Sequence, residues 1–184
     1  MTYTAPAPPF IAARWHGGAQ TPRLIVLHST VGPTRRGSAR NVAEFFARET
    51  GKTSAHYVVD AGEVIQSVKD HVVAYHCGYN QDSIGVEMCD DPADGRGIRR
   101  WDDRDHVQLE IRTARLVAEL CLAYGIRPYY VGKLQLLAGL RGVTTHAVMS
   151  NTYHASTHWD PGTWRRYRFM RRVRRQVARI KKGL

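Results

Sequence analysis

Leu24-Ile25-Val26-Leu27-His28-Ser29-Thr30 is a short apolar run that stops at a histidine. A run of this length reads as a buried strand rather than a helix. A side chain just past such a strand emerges at the edge of a sheet, where α/β folds place function. More than a hundred residues later, Val143-Thr144-Thr145-His146 reads as a last strand that also ends in histidine. Thr157-His158-Trp159-Asp160-Pro161-Gly162 then sets a carboxylate in a Pro-Gly turn, which fixes its position. Two imidazoles and a carboxylate from separate segments match the three-ligand set of a catalytic zinc site, with a fourth position left for water. Taken singly, each residue also has a plain structural reading: a capping or core histidine, or an ordinary turn aspartate.

Between these segments the patterning alternates strand and helix. Ser38-Ala39-Arg40-Asn41 opens a helix with Ser38 as N-cap, carries Val42, Phe45 and Phe46 at helical spacing, and ends at Gly51. His56–Asp60 and Glu63–Val68 flank Ala61-Gly62 and form a hairpin signal. Ser83–Met88 is a further strand, Asp90–Asp105 an acid-, glycine- and arginine-rich loop, and Leu109–Tyr124 a long amphipathic helix closed by Gly125. Leu134–Leu137 is ambiguous. The expected fold is a single α/β domain with a mixed central β-sheet flanked by helices and a zinc site at the sheet edge. The domain spans 23–184, after an extended Pro- and Ala-rich arm over 1–22.

At 184 residues, 43% hydrophobic and 23% charged, the chain is an ordinary globular domain. It has no apolar run long enough to span a membrane. Met1–Pro9 has neither the basic nor the apolar region of a secretory signal, so the expectation is synthesis and retention in a cytoplasm. The net charge of +11 is concentrated: Thr163–Leu184 holds ten Lys or Arg and no acid. A helix over about 163–182 carries Phe169, Val173, Val177 and Ile180 on one face. Its arginines are either simply solvated or attract an anionic wall polymer or membrane surface. Aromatic interleaving for specific nucleic-acid binding is missing.

Cys77, Cys89 and Cys121 have neither metal-type spacing nor an even count and read as reduced packing residues. His154 and His158 are four apart, but without a CxxC partner they do not make a zinc finger. His154 stays undecided. His16, His71 and His106 read as exposed or satisfied, and His56 as a residue of the fold.

The ordered set of motifs is more specific than any one of them. The set comprises Ile25-Val26-Leu27-His28-Ser29-Thr30, Ser54-Ala55-His56-Tyr57-Val58-Val59-Asp60 with Gly62 and Gln66, Ala74-Tyr75-His76-Cys77-Gly78, Ser83-Ile84-Gly85-Val86-Glu87, Thr145-His146 and Asp160-Pro161-Gly162. In this order, over roughly residues 24–170, it resembles the type 2 N-acetylmuramoyl-L-alanine amidases, the family of the phage T7 lysozyme and AmpD-like enzymes, whose fold the peptidoglycan recognition proteins share.

The resemblance implies Zn2+ held by His28, His146 and Asp160. It implies Glu87 as the group that takes a proton from water and passes it to the leaving amine. Some relatives place a tyrosine where this chain has Ala55, which leaves Glu87 as the base. Two residues before the aspartate the family usually has lysine. Here His158 stands there, as donor to the oxyanion. Tyr75, His76 and Asn80 would line the substrate groove. The implied reaction is cleavage of the amide between N-acetylmuramic acid and L-alanine of bacterial peptidoglycan, by a monomeric phage or prophage endolysin held in the host cytoplasm until lysis. The alternatives are a non-catalytic peptidoglycan-binding protein on the same fold and an intracellular muropeptide-recycling amidase. The first typically lacks a zinc ligand, whereas all three are present here.

Overall fold

The computed structural model describes residues 7–183; the first six residues of the expected arm lie outside them. Five strands form one mixed sheet: β1 (Leu24–Ser29), β2 (Tyr57–Val59), β3 (Val64–Gln66), β4 (Ser83–Met88) and β5 (Gly142–Thr145), in the order β3-β2-β4-β1-β5. β1 runs parallel to β4 and β5, β2 runs parallel to β4, and only the β2–β3 hairpin is antiparallel. All six residues of β1 are buried, as an interior parallel strand requires.

Strand alternation sorts side chains onto two faces. Ile25, Leu27, Ile84, Val86, Met88 and Val143 join a core with α2 (Arg104–Tyr124) and α5 (Arg166–Lys181). On the other face, Leu24 and Val26 pack with Leu136 of α3 (Lys133–Leu137) and Met149 of α4 (His146–Tyr153). Val58 and Ile65 pack with Ala39, Ala43 and Phe46 of α1 (Ser38–Arg48).

Several local expectations are corrected. Ser38 is the first helical residue rather than the cap: Gly37 caps α1 in the left-handed region without a side-chain bond, and the helix ends at Arg48, before Gly51. Phe45 is exposed. His146 belongs to α4 and not to the last strand, because Thr145 turns the chain and accepts from Val148 N–H. The stretch expected as a loop from Asp90 contains a 3-10 turn over Gly97–Asp102, and Asp103 then caps α2 by accepting from His106 N–H at 2.9 Å. Gly125 closes α2 in the left-handed conformation.

Residues 7–22 run extended against the domain. Ile11 and Ala13 N–H groups donate to Gln66 and Ser67 carbonyls. The segment ends in buried Gln20, whose side chain accepts from Ser83 N–H and donates to Ser83 O. In α5, Phe169, Met170 and Val173 are buried, with Val177 and Ile180 packed at the margin. Glu110 of α2 receives Arg168 and Arg172, and Asp102 receives Arg165 and Arg168.

Candidate metal centre and active site

The parallel register sets His28 of β1 directly beside Glu87 of β4, on the face that also carries Val26, Gly85 and Ser83. His146 arrives from the next strand because α4 starts there. Asp160 arrives from the following turn, whose carbonyl accepts from Ala147 N–H at 3.0 Å. The cluster therefore stands at the carboxyl ends of β1 and β5, with β1 itself in the sheet interior.

His28 Nδ1 is 3.0 Å from His146 Nδ1 and 3.4 Å from Asp160 Oδ2, and His146 Nδ1 is 3.0 Å from Asp160 Oδ1. All three residues are buried. Four-coordinate zinc with bonds of about 2.0–2.1 Å needs donor atoms about 3.3 Å apart; one donor atom from each of the three residues lies within 4.8 Å of the others, close enough for the set to close on the ion. The surroundings fit as well. A histidine ligand normally engages a partner through its second nitrogen; here His28 Nε2 lies 2.9 Å from His76 Nδ1, and His146 Nε2 lies 3.0 Å from Ser156 Oγ. Asp160 Oδ2 also accepts from Ser29 N–H at 3.1 Å.

Electrostatics separate the two carboxylates. Burial acts to raise the Asp160 carboxyl, but His146 and His28 reverse that and hold it far below the usual range. Glu87 has no such partner: burial, then the charge of Asp160, push it up to about 8. Its Oε1 is 3.9 Å from His28 Nδ1, and its buried Oε2 has no hydrogen-bond partner. Burial lowers His28, with Asp160 acting the other way, and lowers His76 well below the ordinary imidazole value. One environment thus holds an ionised carboxylate and a carboxyl suited to exchanging protons near neutrality.

A groove of about 510 Å³ opens onto this cluster and is lined by Lys52, Tyr75, His76, Asn80, His146 and His158, among others. His158 is exposed, its ring stacked on His146 at 4.7 Å and 11°. Tyr75 is half-buried on the wall. Asn80 spends its side-chain oxygen on His76 and Cys77 N–H groups at 2.9 and 2.8 Å. His76 is buried and both its nitrogens are engaged inside the protein, which leaves only a ring edge for the groove. His154 is the exposed left-handed cap of α4 and stands outside the cluster.

Sequence reasoning missed what fixes the aspartate turn. Asp90 pairs with Arg100 through two contacts of 2.8 and 2.9 Å, both side chains fully buried, and Arg100 also donates to Pro161 O at 3.1 Å. Asp90 further meets His106 Nε2 at 2.9 Å and accepts from Ser29 Oγ at 3.0 Å. The network ties the end of β1 to the turn holding Asp160. Gly162 completes that turn at φ 63°, where an added Cβ would lie 2.8 Å from the Trp159 ring. The only sequence signal for the network was an arginine among acids.

Comparison with known proteins agrees with this geometry. The profile of the N-acetylmuramoyl-L-alanine amidase family (Amidase_2) matches residues 18–163. Two curated Bacillus licheniformis proteins, a probable N-acetylmuramoyl-L-alanine amidase and the N-acetylmuramoyl-L-alanine amidase CwlL, are each 32% identical over 55% of this chain. The match spans about 30% of the length of each of these relatives. Among solved structures, Staphylococcus aureus hydrolase AmiA aligns with TM-score 0.70 at 18% identity, over 98% of this chain and 87% of that one. The catalytic domain of XlyA aligns with TM-score 0.62 at 22% identity, over 90% and 97%. These structural likenesses carry the fold. With the matched profile covering every residue of the His28–His146–Asp160 triangle and Glu87 beside it, the chain belongs to the N-acetylmuramoyl-L-alanine amidase family.

Proposed function

We propose that this chain is a zinc-dependent peptidoglycan hydrolase that cleaves the amide between N-acetylmuramic acid and L-alanine of the stem peptide. The observation that carries the reading is the buried cluster of His28, His146 and Asp160, with contacts of 3.0–3.4 Å between their polar atoms, beside a partly buried glutamate whose Oε2 has no hydrogen-bond partner. His28, His146 and Asp160 would hold the ion. Bound there, zinc supplies Lewis acidity and a nucleophilic water at neutral pH.

The remaining steps belong to the chain's own side chains. Glu87 takes a proton at its carboxylate and returns it to the departing amine. His158, exposed on the ring of His146, donates to the oxygen on which charge develops. Tyr75 and Asn80 form the wall against which the stem peptide lies.

The reading extends to the setting. The protein acts as the lytic amidase, or amidase domain, of a phage or prophage, made in the host cytoplasm and reaching the wall at lysis. Among the described residues no helix is long and apolar enough to cross a membrane. Arg171, Arg175, Arg179, Lys181 and Lys182 have no carboxylate partner among the described residues. Since α5 already buries its apolar side, this face contacts an anionic wall polymer or membrane surface through charge alone.

The test is digestion of purified peptidoglycan with and without a chelator, with the new ends identified by mass spectrometry. New L-alanine amino termini on intact glycan strands, lost on chelation and restored by zinc, are expected. Binding without cleavage in the presence of zinc would refute the hydrolase.

A further inference from the structure

We propose that His76 is a positioning residue: with Ser83 it fixes which nitrogen of His28 carries the proton and so leaves Nδ1 free for the metal. The inference rests on the metal-site reading above, but it concerns hydrogen-bond direction, which the geometry determines without reference to the reaction.

The argument starts from a group that can only accept. Ser83 Oγ lies 2.8 Å from the backbone carbonyl of Asn80. A hydroxyl has one proton, and this contact uses it. At 3.0 Å from His76 Nε2, the Ser83 oxygen must therefore accept, so His76 Nε2 carries the hydrogen. In a neutral imidazole the other nitrogen is then an acceptor. His76 Nδ1 lies 2.9 Å from His28 Nε2, so His28 donates from Nε2 and presents a lone pair at Nδ1. That atom is the one facing His146 and Asp160. One backbone carbonyl thus sets the tautomer of a metal ligand through two side chains.

The fold is built to hold this chain of donors. Ser83, Gly85 and Glu87 alternate onto the face of β4 that carries His28 on β1. The His76 ring lies across Gly85, where an added Cβ would come within 2.6 Å of its Cγ and 2.9 Å of its Nδ1. Glycine in Ser83-Ile84-Gly85 is the space the ring occupies. Gln20 clamps Ser83 through its N–H and C=O, and Asn80 holds the backbone of His76. His146 has no equivalent: its Nε2 meets Ser156 Oγ, and Ser156 lies 2.5 Å from Ser150 in a contact where either hydroxyl can donate.

The experiment is a zinc titration of the full chain against a chromophoric chelator, with the imidazole tautomers read by two-bond 1H–15N NMR of the zinc-free protein. Wild type should show the Nε2–H form of His28. His76→Ala should weaken zinc binding about 10- to 100-fold, the usual effect of losing a ligand's hydrogen-bond partner. His76→Asn, which returns an acceptor near the Nδ1 position, should recover part of that loss. Gly85→Ala should weaken zinc binding by displacing the ring. Thermal unfolding of the zinc-free variants separates a folding defect from a metal defect.

An Nδ1–H form of His28 in wild type would overturn the proposal. So would zinc affinity unchanged in a folded His76→Ala, or equal losses in His76→Ala and His76→Asn. A wild-type protein that binds zinc with the expected tautomer yet leaves peptidoglycan intact would refute the hydrolase and leave this inference standing.

Discussion

The floor and the rim of the metal cleft are built differently. On the floor, His28, His76, His146 and Asp160 are buried, and each is held by hydrogen bonds from within the protein. On the rim, His158 is two-thirds exposed and stands on a ring stack and a distant carboxylate. Strand register and a buried Arg100–Asp90 pair supply the floor; a turn supplies the rim. Groups that must keep a fixed geometry are over-determined, and the group proposed to meet a variable substrate is left in water. Glu87 is the exception on the floor: partly buried, with one buried oxygen unpartnered.

The comparison can be broken from the floor outward. Asp160→Ala removes one of the three proposed ligands and the acceptor for Ser29 N–H, and turnover and zinc content measured together should both fall to background. Asp90→Asn should destabilise the fold by about 3–5 kcal/mol, the effect of leaving buried Arg100 unpaired, which denaturant unfolding reports. The same network predicts a pH profile. Burial acts to raise the Asp90 carboxyl, but His106 and Arg100 hold it below the ordinary value. Its contribution is therefore complete above about pH 4 and is lost as pH falls through the lowered pKa. For His106, burial acts to lower the pKa, while Asp90 and Asp103 raise it. That contribution is complete below about pH 6.5 and is lost as pH rises through the raised pKa. Thermal midpoints followed across pH should decline on both sides, and both slopes should flatten in Asp90→Asn.

Changes on the rim should be milder. His158→Ala should lower kcat by up to about 100-fold, the lower end for an oxyanion donor, without changing zinc affinity. His158→Lys should retain activity, since lysine is the residue usual at this place in the resembled family. A parallel loss of zinc would move His158 to the floor. Smallest of all, Arg175→Glu with Arg179→Glu should leave stability within about 0.5 kcal/mol while reducing salt-sensitive adsorption to cell walls in a pelleting assay.

The sequence made the buried cluster legible because its members sit where periodicity breaks: His28 at the end of an apolar run and Asp160 in a Pro-Gly turn. Glu87 became legible through its motif, and only the β1–β4 register shows why it stands next to His28. His146 was found but placed on the wrong element, since a strand and a helix N-terminus share Thr-Thr-His until the cap is seen. The Asp90–Arg100–His106 network was hidden because long-range pairing of charges has no period, and an acid- and arginine-rich stretch looks like a solvated loop. The direction of the hydrogen bonds through His76 was out of reach as well, because it depends on a backbone carbonyl from a neighbouring turn.

The central claim is that the floor divides its work: three residues hold the ion and Glu87 moves the proton. The direct measurement is zinc content and released L-alanine termini for Glu87→Gln beside wild type, on the same peptidoglycan. One zinc per chain with release reduced about 100-fold or more is the predicted result. Release at the wild-type rate, or loss of zinc along with release, would contradict the division.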